Sequence, residues 1–217
     1  MHEELRKNIY LIPGLGADKR LFVNLDLPDY NVHHIEWIPP TDNESIEEYA
    51  ARLLQQIKTP DPVIIGVSFG GLMAIEIGKL INTEKIILIS SARTSSEIPF
   101  YFKISGRLGL SKLIGSISFH SVNAMTCWFF GIKTEEERKL LSSIITDTDP
   151  KFIEWAMEKI VKWKNSVLLK NVTLIHGTSD KLFTFSKADH KIKGGEHFMI
   201  YNRAAEISAL FGSILND

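Results

Sequence analysis

Ser68 stands in the stretch Gly66-Val67-Ser68-Phe69-Gly70-Gly71, between the β-branched run Val63, Ile64, Ile65 and an apolar helical pattern that continues to Ile81. A serine hydroxyl is a poor nucleophile until a base takes its proton. Gly66 and Gly70, two residues to either side, remove the β-carbons that would collide where a strand turns sharply into a helix. Such a turn exposes the hydroxyl at the carboxyl end of the strand. The helix start directs unpaired N–H groups and a partial positive charge at the same place, which suits an oxyanion. The backbone N–H of Phe69 is the natural first donor. Taken alone, the five-residue pattern is also a plain turn. Its place between strand and helix, and the presence of partners, give it weight.

The partners are a histidine and a carboxylate. Seven histidines are available. His2 is in the terminal tail, His33 and His34 lie on a strand without ending at its useful edge, and His120 sits in a helical stretch. His176 ends a strand and reads as a packed or hydrogen-bonded turn residue, and His190 lies in a polar stretch before a short strand-like "KIK". His197, in "GGEHFMIYN", lies on a Gly-Gly loop leading into the last helix, where it can reach over the edge of a sheet. For the acid, Asp180 in "HGTSDKLF" follows a strand directly and shares that edge. Its rivals are Glu97, seven residues past Ser90, and Asp189, which reads as solvated. A carboxylate in this role fixes the tautomer of the base and stabilises its charged form.

These residues need a scaffold. "NIYLI" (8–12), "YNVHHIEWI" (30–38), "PVIIGV" (62–67), "KIILIS" (85–90) and "VTLIHG" (172–177) read as strands. Helices are expected at 45–57, with Ser45 and Glu48 as a capping box, at 69–81, and from about 200 to 215. Strands read as apolar throughout and separated by helices predict an α/β architecture with a parallel sheet covered on both faces. From about 98 to 166 the rhythm changes. No strand-like run appears, and helical patterns fall near 99–117, 120–130, 134–145 and 150–164. Thr134 with Glu137 forms a second capping box, and Asp149-Pro150 marks another helix start. The expectation is a core domain of residues 1–97 and 167–217, interrupted by a helical insertion at 98–166.

Composition narrows the partners. The chain has 217 residues, enough for one sizeable core. A formal net charge of −1 gives no footprint for nucleic acid. Cys127 is the single cysteine, so neither an internal disulfide nor a cysteine-built metal site is expected. The opening "MHEELRKNIYLIPGLG" makes a poor signal peptide, and no apolar run approaches a membrane span. A cytoplasmic protein with a small-molecule substrate is expected, and its surface helices leave a homodimer open.

"YLIPGLGAD", "GVSFGG", "LIHGTSDKLF" and "GGEHF" occur in the order found in α/β-hydrolase-fold proteins of the small, lid-bearing serine esterase type, and the chain resembles that family over nearly its whole length. The resemblance implies a Ser68, Asp180, His197 triad acting through an acyl-enzyme, with no metal and no organic cofactor. It implies Leu15 N–H as a second oxyanion donor. The family's first turn is often His-Gly-x-Gly, whereas here it is Pro13-Gly14-Leu15-Gly16. It implies a trimmed sheet of about six strands, opening at the family's third, and a lid formed by the insertion. In that lid Phe100, Phe102, Trp128, Phe129 and Phe130 are candidates to line an apolar pocket, or else simply pack the lid on its sheet. An ester or thioester of a hydrophobic acyl group is the expected substrate. Carbon–carbon bond cleavage or a lyase reaction on the same triad, and a non-catalytic ligand receptor, remain open.

Overall fold

The computed structural model describes residues 6–102, 122–183 and 187–216. Six strands form one sheet: β1 (Asn8–Ile12), β2 (Asn31–His34), β3 (Val63–Val67), β4 (Lys85–Ile89), β5 (Val172–Gly177) and β6 (His190–Ile192). Their order is β2-β1-β3-β4-β5-β6, and every pairing is parallel. The chain first winds outward from β1 to β2, then returns to add β3 on the other side of β1. That reversal places a crevice at the carboxyl ends of β1 and β3, where open α/β sheets bind ligands.

Alternation along each strand feeds two cores. Tyr10, Ile12, Ile64, Ile86, Leu88 and Leu174 face one side. There they meet α1 (Ile46–Leu53), α2 (Phe69–Gly78) and a later helix, Pro150–Lys162. Ile9, Leu11, Val63, Ile65, Ile87 and Ile175 face the other, against the C-terminal helices Met199–Asn202 and Ala204–Asn216. All residues of α2 from Phe69 to Ile77 are buried, which explains a sequence that is apolar all round. Met73 is fully buried.

Local chemistry fixes the helix starts. Ser45 Oγ accepts from Glu48 N at 3.1 Å while Glu48 returns a carboxylate oxygen to Ser45 N at 2.8 Å. Between β4 and β5 lie α3 (Ala124–Phe130), α4 (Glu135–Asp147) and α5 (Pro150–Lys162). They are capped by Asn123, by the Thr134–Glu137 box, and by Asp149 ahead of Pro150. Helices α4 and α5 are not separate from the sheet: Phe152, Ile153 and Met157 join one core, and Leu141 and Ile144 the other. The two C-terminal helices, α6 (Met199–Asn202) and α7 (Ala204–Asn216), follow β6.

Several boundaries differ from expectation. The strand expected over 30–38 pairs only over Asn31–His34, and all four residues are exposed because β2 is the sheet edge. Ile38 instead exchanges two hydrogen bonds with Tyr49 Oη, which turns the chain inward. The helix expected to 57 tightens into a 3-10 turn at Leu54–Gln56. The single last helix is two, interrupted at Arg203. His190 belongs to β6 rather than preceding it. The helix expected over 99–117 lies outside the described residues from 103 onward, as does His120. Among the described residues, no helix is long and apolar enough to cross a membrane.

Candidate active site

Ser68 directly follows β3 and has φ +51° and ψ −117°. A side chain in that region costs about 1–3 kcal/mol and persists only where surroundings enforce it. The enforcement is visible on both sides. Ser68 N donates to Ile89 O at 2.9 Å, and Ser91 Oγ donates to Ser68 O at 2.7 Å. The flanking glycines permit the approach. A β-carbon on Gly66 would lie 2.4 Å from Gly70 O, and one on Gly70 would lie 2.3 Å from both Ile12 O and Pro13 O. So α2 is drawn tightly against β1 and β3 with the hydroxyl at its apex.

His197 Nε2 lies 3.0 Å from Ser68 Oγ, and His197 Nδ1 lies 2.9 Å from Asp180 Oδ2. A carboxylate only accepts, so Nδ1 carries the proton and neutral Nε2 is left to accept from the serine. The His197 ring is stacked on Phe183 at a centroid distance of 5.8 Å and meets the edge of Phe130 at 5.5 Å. Asp180 Oδ1 accepts the N–H groups of Leu182 and Phe183, each at 2.9 Å. His176 Nε2 lies 2.9 Å from Phe183 O and 3.2 Å from Asp180 Oδ2. Burial alone would raise the Asp180 carboxyl. The charge of His197, hydrogen bonds from His176 and His197, and the charge of His176 together outweigh it and hold the group below the usual carboxylate range.

The rival residues are engaged elsewhere. Glu97 accepts from Arg93 N at 2.6 Å. Asp189, expected to be solvated, pairs with Arg93 and accepts Leu174 N at 2.7 Å, although its side chain is 47% exposed. His33 is stacked on Tyr10 at the sheet edge.

The hydroxyl of Ser68 opens into a cavity of about 380 Å³. Its walls are almost wholly apolar and include Leu15, Phe102, Phe129, Phe130, Ile145 and Met157. Two of the five aromatic candidates do not line it. Phe100 is 70% exposed and Trp128 is 58% exposed; Trp128 carries the Lys181 ammonium over its face at 5.1 Å instead. A β-carbon on Gly14 would sit 3.7 Å from Ser68 Cβ, so the Pro13-Gly14-Leu15-Gly16 turn lies directly beside Ser68.

Two contacts at the site were beyond the reach of sequence reasoning. His176 is packed and hydrogen-bonded as expected, but nothing in "VTLIH" signals that it shares the Asp180 carboxylate. Glu196 pairs with Lys181 and with Lys133 Nζ at 2.9 Å, joining the loops of Asp180 and His197 to the segment between α3 and α4. Only its position next to His197 could have drawn attention to it. Among the described residues, no group of three or more His, Cys, Asp or Glu is placed to hold a metal ion.

No protein-family model matches the chain. No curated protein matches it either. Solved structures do. An N-acyl homoserine lactone degrading enzyme is 16% identical at a TM-score of 0.69, with 95% of this chain and 92% of that one covered. A thermophilic esterase from Thermogutta terrifontis is 14% identical at 0.68, covering 97% and 89%. A bromoperoxidase from Bacillus anthracis is 19% identical at 0.64, covering 97% and 92%. At such identities the likeness is one of architecture, and it extends over nearly the full length of both partners, so the chain has the α/β-hydrolase fold.

Proposed function

We propose that this protein is a serine hydrolase that cleaves an ester or thioester of a small to medium hydrophobic acyl group. His197 removes the Ser68 proton as the oxygen attacks the carbonyl carbon. The N–H groups of Phe69 and Leu15 hold the oxyanion. His197 then protonates the leaving group, and a water repeats the cycle on the acyl-enzyme. Asp180 stays ionised throughout, in keeping with its lowered pKa. The observation that carries this reading is the unbroken line from Asp180 through His197 to Ser68, opening on an apolar cavity. An apolar wall favours an uncharged acyl chain, since a buried carboxylate or ammonium there would lose hydration without a partner. In this reading the insertion of 98–166 serves as a lid on the core of 1–97 and 167–217, and among its described residues α3, α4 and α5 supply much of the cavity wall. Solved structures of the fold named as esterases add support.

The test is a series of p-nitrophenyl esters and acyl thioesters of rising chain length, run beside Ser68→Ala. Turnover that peaks at a short to medium chain and vanishes in the variant is expected. Wild type and Ser68→Ala that cannot be told apart on every substrate would overturn the proposal.

A further inference from the structure

The Gly14–Leu15 peptide carries both the Gly14 carbonyl and the Leu15 N–H. It is planar, and no peptide bond in the described chain is cis, so the two groups point in opposite directions. The carbonyl is held by two donors: Ala17 N at 3.0 Å and the indole Nε1 of Trp37 at 3.1 Å. The first closes a β-turn over residues 14–17, in which Gly16 has φ +68°, as a type II turn requires. The second is long-range and comes from the segment that leaves β2. Among the described residues, no acceptor takes the Leu15 N–H. The Trp37 ring also lies 5.5 Å from that of Phe69, whose backbone is the first oxyanion donor, and 5.2 Å from Phe152 of α5.

We propose that Trp37 is a positioning residue, whose indole N–H locks the Gly14–Leu15 peptide in the orientation that presents the Leu15 N–H to the oxyanion formed at Ser68. This rests on the hydrolase reading given above. Turning this peptide over rotates ψ of Gly14 and φ of Leu15, and Gly14 carries no side chain to oppose the first rotation. If it turned over, a carbonyl would face the developing negative charge in place of a donor. The indole bond fixes the carbonyl from the far side, and its ring contacts with Phe69 and Phe152 keep the indole itself in place. The donor on the Leu15 side is thereby ready before substrate arrives, which is where oxyanion stabilisation gains most.

The experiment uses the full chain with Trp37→Phe, which keeps an aromatic ring, and with 3-benzothienylalanine incorporated at position 37, which keeps the full indole shape and lacks only the N–H. Two readouts are taken: the rate of inactivation by a small fluorophosphonate, and NMR relaxation of a selectively labelled Leu15 amide. Both substitutions should bring microsecond-to-millisecond exchange to Leu15 and slow inactivation by about tenfold or more, a share of the effect of losing one oxyanion donor. Fluorophosphonate affinity before the covalent step should not change. A Leu15 amide that stays as in wild type overturns the proposal, even if inactivation slows, because Trp37 would then act only through packing. Exchange at Leu15 with an unchanged inactivation rate also overturns it, because Leu15 would then not be a working donor. Wild type that fails to react would instead sink the hydrolase reading; the peptide lock is then judged on the amide alone, upheld by new exchange and overturned without it.

Discussion

The sheet edge that carries Ser68, Asp180 and His197 and the helices α3 and α4 differ in the polar contacts that hold them. At the edge, Asp180 has a fully buried side chain and His197 one that is 6% exposed. Their links are short hydrogen bonds inside low-dielectric surroundings, and the strained Ser68 backbone is clamped from β4 and its following loop. Helix α4 buries Leu141 and Ile144 in the core, but the ion pairs that tie it and the segment before it to the rest of the chain are exposed. Arg20 bridges to Asp147 with side chains 34% and 59% exposed, and Lys133, which pairs with Glu196, is 63% exposed. Buried hydrogen bonds hold a single geometry, whereas exposed ion pairs contribute little and tolerate change. The proposed function assigns reactivity to the buried edge and substrate choice to the apolar walls of the cavity.

That contrast can be broken in several places. Asp180→Asn should have the largest effect, lowering kcat by about 10⁴ through the wrong tautomer of His197, read by ester hydrolysis or inactivation rate. Its effect on stability is pH-dependent. Because the folded pKa of Asp180 is depressed, its contribution is present above the ordinary value of 3.8 and is lost as pH falls through the lower folded value. Chemical denaturation should therefore show Asp180→Asn less stable than wild type at neutral pH, with the gap closing as pH drops below about 4.

Gly70→Ala comes next. A β-carbon 2.3 Å from Ile12 O and Pro13 O must push β1 and the Pro13–Gly16 turn away from α2. A loss of about 1–3 kcal/mol in stability is expected from overpacking, together with lowered activity. If stability were unchanged, the elbow would be looser than described. Phe129→Ala tests the other region. It should leave the melting temperature nearly alone and move the preferred acyl chain to greater length, with kcat/KM shifts of about tenfold between neighbouring chain lengths. Arg20→Met should do least, costing about 0–1 kcal/mol, since its partners Asp18 and Asp147 are largely solvated. A large loss of activity in Arg20→Met would mean that the exposed contacts also govern the reactive edge.

Much of this was legible in the sequence, for identifiable reasons. The β-branched run before Ser68 and the glycines around it force a local geometry that few other sequences share, so β3, α2 and the elbow could be read directly. Ser45–Glu48, Thr134–Glu137 and Asp149-Pro150 are local capping signals, and each marks the helix start it predicts. The misreadings came where tertiary context decides. Val32, His33 and His34 resemble part of a buried strand, but an edge position leaves them in solvent. Phe100 and Trp128 have the same composition signature as Phe129 and Phe130, yet the direction of each helix face sends them outward. The roles of His176 and Trp37 depend on partners 4 and 23 residues distant, Asp180 and Gly14, and no spacing rule connects them.

The proposed hydrolase requires Ser68 to be an activated nucleophile. The most direct measurement is reaction of the purified protein with a fluorophosphonate, followed by mass spectrometry of the peptide that carries Ser68, beside His197→Ala. Stoichiometric phosphonylation of Ser68 in wild type, slowed by several orders of magnitude in the variant, is the predicted result. Unmodified Ser68, or labelling at the same rate without His197, would contradict it.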